Sequence, residues 1–170
     1  MTEKMISSVG QSLIAIGLYT VAFESMVLSF RGRMLDYLRA NDPDSLKAFW
    51  KACNTADRTF KFCTPKLVNL GVIESSDVTT LNEMRKRRNV FAHEGYNNMM
   101  SLTVSDVEDD VQFMFKLTRS VELWTPAASQ RIAGNTFQFS ISPAIFIMYL
   151  QIAKDIAYSK LPLEYDDESV

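Results

Sequence analysis

Apolar residues recur at three- and four-residue steps along the first part of the chain, which is the spacing of one face of a helix. The positions are Leu13, Ile16, Thr20, Phe23, Val27 and Phe30, widened by Met26, Met34 and Tyr37. They predict a long helix over about the first 35 residues. Glu24 lies inside this apolar run, either at the solvent edge of the face or in a salt bridge to a basic residue of a later helix.

Proline and glycine punctuate the next part of the chain. After Asn41, Asp42 is expected to cap a new helix with Pro43 in its first turn. A list of apolar positions follows, namely Leu46, Phe49, Trp50, Cys53, Phe60, Phe62, Leu67, Val68 and Leu70. Pro65 interrupts this series, so the pattern predicts helical structure with a kink or a second start near Thr64.

A further helix is predicted from Asp77 to about His93, after a short connection over residues 71–76. Ser76 or Asp77 would cap it, and Gly95 is the expected end signal, because helices commonly end on glycine. Its predicted buried side consists of Val78, Leu81, Met84 and Phe91.

The last third of the chain opens with Ser105-Asp106-Val107-Glu108, which has the pattern of a capping box. The helix that it predicts carries Val107, Val111, Met114, Leu117, Thr118 and Val121 at helical spacing and ends at Thr125-Pro126. Residues 126–142 are interpreted as an extended loop, and a final helix is predicted from residue 142 to about 158. The whole pattern predicts an all-α bundle of four to six helices, with residues 1–161 as one domain and an acidic, disordered tail at 162–170.

Composition adds few constraints to this picture. A chain of 170 residues, 47% of them hydrophobic, can build a core without a disulfide or a metal. Cys53 and Cys63 show no CxxC spacing and His93 is the only histidine, so no metal or other cofactor is expected. The uncharged stretches 5–23 and 132–153 contain several polar residues and are interpreted as buried elements rather than membrane spans. With no visible secretory signal, a cytoplasmic protein is expected.

Charge is unevenly distributed. The net charge is -2, but residues 1–100 carry 13 basic and 10 acidic residues, whereas residues 101–170 carry 5 and 10. Four consecutive basic residues, Arg85 to Arg88, precede His93, whose side chain has an ordinary pKa near neutrality and suits proton transfer. Alternatively the run is a solvated helix face, Arg88 pairs with Glu24 or Glu83, and His93 stabilises the helix end as a cation.

Helical geometry restricts how these side chains can cooperate. Arg85, Asn89 and His93 are four residues apart and share one stripe. Arg88 and His93 are five residues apart and point about 140° away from each other in a straight helix. They converge only if the helix unwinds before His93 or if a second subunit supplies another copy.

The segment Arg88-Asn89-Val90-Phe91-Ala92-His93 resembles the signature of the HEPN superfamily, R-x(4–6)-H, in which Asn, Asp or His usually follows the arginine. The flanking residues 81–87, and Glu94 and Gly95 after the histidine, are similar to those of prokaryotic members. The resemblance implies a four- or five-helix bundle that dimerises with two motifs facing each other. It also implies a metal-independent endoribonuclease, often a toxin or an anti-phage defence effector.

The resemblance also implies roles for individual residues. His93 would act as general base or acid, Arg88 would bind the phosphate, and Asn89 would orient His93 or donate to a phosphate oxygen. Arg85 and Arg87 would attract the RNA backbone, and Tyr96 would stack on a base. The expected partners are RNA, a second copy of the chain, and an antitoxin or regulatory protein, with no membrane.

Two other hypotheses stay open. Many HEPN proteins are catalytically silent, which implies a binding or regulatory module instead of an enzyme. A third hypothesis has the apolar side of the C-terminal helix, Ile145 to Ile156, dock a partner protein.

Overall fold

A computed structural model describes residues 3–98 and 102–124 and the isolated positions 151, 152 and 155. Side chains at the borders of these ranges, before residue 8 and from 94 to 101, are not described. The described part is helical: α1 is Glu3–Asn41, a 3-10 helix follows at Pro43–Ser45, and α2 is Leu46–Ala52. The remaining helices are α3 at Ala56–Asn69, α4 at Asp77–Asn98 and α5 at Ser105–Leu123. The predicted all-α bundle is confirmed.

Helix α1 is the central element, because α3, α4 and α5 all pack against it. Its fully buried side chains include Tyr19, Phe23, Met26, Phe30 and Met34, which agrees with the predicted face over its middle and C-terminal half. These long apolar side chains supply most of the burial that stabilises the helix, since propensity alone holds a helix weakly in water.

The predicted face of α1 is wrong at its N-terminal end. Leu13 is 51% exposed, whereas Ser12 and Ala15 are buried. Ser12 can be buried because its hydroxyl donates a hydrogen bond to the carbonyl oxygen of Leu102, 2.7 Å away. That contact attaches the segment before α5 to α1 and turns Leu13 towards solvent.

Helix α3 starts at Ala56, so the predicted second start near Thr64 is wrong. Thr55 caps the helix by accepting a hydrogen bond from the Arg58 amide, 3.3 Å away. The helix runs through Pro65, whose side chain is exposed. The proline removes one backbone hydrogen bond, and the buried residues Phe60, Cys63 and Leu67 keep the helix in place on both sides of it.

Helix α5 begins at Ser105, where the sequence predicts its cap, and a second side-chain pair lies at this end of the helix. The capping box at Ser105 and Glu108 stays a prediction. The carboxylate of Asp106 accepts hydrogen bonds from the Thr103 amide and hydroxyl, both at 2.7 Å. These bonds lower the pKa of Asp106, the hydroxyl contributing most. Within the helix, the predicted apolar positions Val107, Val111, Met114, Leu117 and Val121 are all buried.

Helix α4 is longer than predicted. It continues past Gly95 to Asn98, so His93 lies inside the helix and not in its last turn. A glycine inside a helix costs only about 1 kcal/mol relative to alanine, so it permits an ending without imposing one. The predicted loop at 126–142 and the tail at 162–170 lie outside the described residues. Of the predicted last helix, Gln151, Ile152 and Asp155 are described, and they are helical.

Helix α1 is also long and apolar enough to cross a membrane. Within Ser8–Asn41, an 18-residue window has a mean hydropathy of 1.8, and 44% of that window is buried inside the protein. The central helix of a soluble bundle meets the same criterion. The contacts of α1 with three other helices are those of such a core helix.

Candidate functional site

The four consecutive basic residues of α4 point in four different directions. Successive side chains of an α-helix are separated by about 100°, so four in a row cover its whole circumference. Each of the four forms a salt bridge with a different carboxylate. The run is therefore not a basic patch on one surface. Attraction of the RNA backbone by Arg85 and Arg87 stays a prediction.

Arg85 points towards α3. Its Nη1 lies 2.7 Å from the Asp57 carboxylate, which also binds Lys61 at 2.7 Å. Hydrogen bonding to Lys61, and then to Arg85, holds the pKa of Asp57 below its usual value. Lys86, the next residue, is largely exposed and pairs with Glu83 one turn earlier in the same helix.

Arg87 points towards α5 and the core. Its guanidinium donates to the Asp110 carboxylate and to the Asp106 carbonyl oxygen, both at 2.9 Å. It also lies over the rings of Tyr19 and Phe91, at 5.7 and 5.6 Å from their centroids. This guanidinium joins α4 to α1 and α5, and 36% of its side chain stays exposed.

The ring of Tyr19 lies under this arginine. It is fully buried, meets Phe91 edge to face with 5.1 Å between centroids, and donates its hydroxyl to the Met84 carbonyl oxygen at 3.1 Å. Burial, reinforced by the nearby Asp110 charge, raises the pKa of Tyr19 far above its usual value. Tyr19 is thus a neutral structural hydrogen-bond donor between α1 and α4.

Arg88 points towards α1, where its Nη2 forms a salt bridge with Glu24. Its Nη1 donates to the side-chain oxygen of Asn89, 3.2 Å away. Both partners of the salt bridge keep part of their side chain accessible, 23% for Arg88 and 33% for Glu24. Of the two interpretations of Glu24, the salt bridge to a later helix is therefore the one that the structure adopts, and the pair still borders solvent.

His93 is exposed on α4, as are its neighbours Val90 and Ala92. Because α4 is continuous through this region, Arg88 and His93 of one copy are separated by about 7.5 Å along the axis and about 140° around it. The structure thus brings Arg88 and Asn89 together but does not bring Arg88 and His93 together within one chain. The side chain of Tyr96 lies outside the described residues.

The sequence motif gave no sign of Asp57 and Asp110, the partners of Arg85 and Arg87. Both aspartates lie on other helices. Nothing in the sequence around either of them identifies the arginine with which it pairs. Only the pairing of Arg88 with Glu24 could be proposed from the sequence, because a single carboxylate within an apolar run is stabilised by a nearby cation.

No group of three or more His, Cys, Asp or Glu side chains comes together as a metal site within the described ranges. Comparison with models of known protein families, with curated proteins and with solved structures finds no match. The case for a function therefore depends on the site itself and on the motif resemblance.

Proposed function

We propose that the protein is a HEPN-type, metal-independent endoribonuclease that works as a homodimer in the cytoplasm, as a toxin or defence effector. The observation that carries the proposal is the exposure of His93 on α4, one turn beyond the solvent-bordering pair Arg88 and Asn89. A proton-transfer residue must be reachable by the substrate, and a sealed imidazole would have removed the basis for this function.

The chemistry requires few groups. A 2′-hydroxyl of RNA attacks the neighbouring phosphorus when a base removes its proton, and a cation stabilises the charge that develops on the phosphate. The 5′-oxygen leaves with a proton supplied by an acid, and a 2′,3′-cyclic phosphate remains. His93 supplies the proton transfers, Arg88 the cation, and Asn89 a side chain that already contacts Arg88.

A second copy is needed for two reasons. The chain has one histidine, so base and acid must come from two copies. In addition, Arg88 and His93 diverge on the continuous helix α4, so an arginine and a histidine meet more readily across a two-fold axis than within one copy.

The decisive experiment is cleavage of unstructured RNA by the purified protein in the presence of EDTA. We expect products with 2′,3′-cyclic phosphate ends, and we expect His93→Ala to abolish them. Lys86→Ala is the matched control on the same helix, because Lys86 is exposed and, among the described residues, forms a salt bridge with Glu83 alone. Absence of cleavage of several RNAs by the dimer, or equal cleavage by His93→Ala, would contradict the proposal.

A specific observation favours a second candidate, a catalytically inactive HEPN-like module that binds a regulatory protein or antitoxin. The salt bridge to Glu24 already uses part of the charge that Arg88 would offer to a phosphate. Toxicity on expression separates the two functions. A ribonuclease should be toxic, with the toxicity relieved by Arg88→Ala, whereas a binding module should be tolerated with either residue.

A further inference from the structure

Positive charge that is not used inside the fold lies on α2 and α3 rather than on α4. Residues 46–66 contain five basic residues and one acidic residue, Asp57. Asp57 is already bound by Lys61 and Arg85. In the part of the chain that the structure describes, Lys47, Lys51 and Lys66 are exposed and make no salt bridge.

Aromatic rings accompany these cations. Trp50 is 48% exposed, an unusual position for the largest apolar side chain. Lys47 lies three positions before Trp50 and four before Lys51, so its side chain is a neighbour of both on the surface of α2. The guanidinium of Arg31 lies over the Trp50 ring, 5.1 Å from the centroid.

The same arrangement is repeated on α3. The amino group of Lys66 lies 5.0 Å from the centroid of the half-buried Phe62 ring. Phe49 is fully buried and joins the two rings, with centroid distances of 5.5 Å to Trp50 and 5.8 Å to Phe62. Phe49 therefore keeps the Trp50 and Phe62 rings within about 11 Å of each other, and we treat them as neighbouring parts of one surface. We call it the Trp50 face and define it by Arg31, Lys47, Trp50, Lys51, Phe62 and Lys66.

We propose that the Trp50 face binds single-stranded RNA, with a base stacked on Trp50 and the neighbouring phosphates held by Lys47, Lys51 and Lys66. An exposed ring flanked by unpaired cations is the combination that single strands require, because every base has a face to stack and every nucleotide has a charge to neutralise. Lysine side chains are flexible, so they can follow the backbone of a single strand whose path varies. The proposal rests on the proposed function only for the choice of RNA.

The Trp50 face also supplies more accessible positive charge than the arginines of α4 do. Arg85, Arg87 and Arg88 are held by carboxylates of α3, α5 and α1. At the Trp50 face, in contrast, Lys47, Lys51 and Lys66 are exposed beside an exposed ring. We accordingly expect that face to determine affinity and the α4 residues to determine reaction.

The test measures binding separately from cleavage. His93→Ala is combined with Trp124→Phe, so that Trp50 is the only tryptophan and RNA is not cut. Titration with a labelled 20-nucleotide oligouridine should quench Trp50 emission and raise the anisotropy of the label with the same midpoint. In this background, Trp50→Ala should weaken binding about tenfold or more as judged by anisotropy. Trp50→Phe, which keeps a ring, should bind close to the parent.

The lysines are tested by charge and salt. Replacing Lys47, Lys51 and Lys66 with alanine should reduce the slope of log affinity against log salt by about two, since a single strand contributes roughly 0.7 per contact. The matched control replaces Lys86, Lys116 and Arg119, three exposed cations on α4 and α5, and should leave affinity within about threefold of the parent. Circular dichroism checks that each variant is folded.

Three results would overturn the proposal: no quenching of Trp50, equal weakening by both triple variants, or equal quenching by polyglutamate, which would indicate an acidic protein as the partner. These results are independent of the proposed function. If the wild-type protein does not cleave RNA but the Trp50 face binds it, the nuclease proposal fails and this surface stands. If cleavage depends on His93 but the lysine variant binds RNA unchanged, only the surface fails.

Discussion

At the scale of single residues, adjacent basic side chains on α4 have very different surroundings. Arg87 contacts Asp110, the Asp106 carbonyl oxygen and two aromatic rings. Lys86 meets only Glu83, with more than 60% of both side chains exposed. Sequence proximity thus says nothing about how strongly each cation is held, and mutation should separate them.

We expect Arg87→Ala to destabilise the protein by roughly 1–2 kcal/mol, because it removes the ring contacts and leaves the partly exposed Asp110 without its cation. Lys86→Ala should change stability by less than about 0.5 kcal/mol, the usual range for an exposed pair. The free energy of unfolding in urea, measured for both variants in the same buffer, tests this. Equal values would show that the contacts around Arg87 contribute little.

Asp57 supplies a pH-dependent prediction. Its pKa is lowered in the folded protein, first by the hydrogen bond to Lys61 and then by Arg85, so the unfolded chain binds this proton more tightly. The stabilisation is therefore complete above the ordinary aspartate pKa of about 4 and is lost as the pH falls below it. Asp57→Asn should remove about 1 kcal/mol at pH 7 and show a smaller further loss between about pH 4 and 2.

Urea unfolding at several pH values compares this variant with wild type and with Asp44→Asn. Asp44 is an exposed residue of the 3-10 helix, so its replacement removes one carboxylate without touching Arg85 or Lys61. The Asp44 variant should keep the full acid-induced loss. An Asp57 variant that follows wild type at every pH would show that this salt bridge does not contribute to stability.

At the scale of helices, the end of α3 depends on one backbone conformation. Gly71 has a φ of 70°, and its amide donates to the Val68 carbonyl oxygen at 2.9 Å. The amide of Val72 donates to the Leu67 carbonyl oxygen, also at 2.9 Å. This pair of bonds is the Schellman arrangement, and it requires a residue that adopts a left-handed conformation at little cost.

Gly71→Ala should destabilise the protein by roughly 1–2 kcal/mol, the cost of placing an alanine at positive φ. The control is Gly17→Ala inside α1, where an added Cβ meets nothing within 4 Å. Alanine is the better helix former, so that variant should be more stable by up to about 1 kcal/mol. Thermal unfolding of both variants should give midpoints on opposite sides of wild type, and two shifts in the same direction would contradict this explanation.

Element type was more predictable than element boundaries. The buried stripe of α5 and most of that of α1 follow from apolar spacing, because burial of a continuous face dominates the energetics of a helix. The errors lie where one side-chain contact decides. Thr55 caps α3 so that it begins at Ala56, Ser12 determines which residues are buried at the N-terminal end of α1, and Gly95 does not end α4.

The site was predictable only as far as it is local. The motif located His93, and the isolated charge of Glu24 suggested its pairing with a basic helix. The partners of Arg85 and Arg87 were not predictable, since Asp57 and Asp110 reach α4 only through tertiary packing. The stacking of Trp50 with Arg31 was equally hidden, because those residues are 19 positions apart on different helices.

At the scale of the whole molecule, the proposed nuclease makes a prediction about mixed dimers. If each site uses the histidines of both copies, a dimer containing one His93→Ala subunit is inactive. Adding a threefold excess of His93→Ala protein and allowing subunits to exchange should reduce the activity of wild-type protein to about a quarter, because only that share of its subunits re-forms wild-type dimers. RNA is kept in large excess so that binding by the variant does not deplete it. Lys86→Ala in the same excess should increase total activity, since it restores an intact dimer with every partner. If the wild-type activity is unchanged by the His93→Ala protein, each copy cuts alone, and the symmetric arrangement of the two α4 helices has to be abandoned.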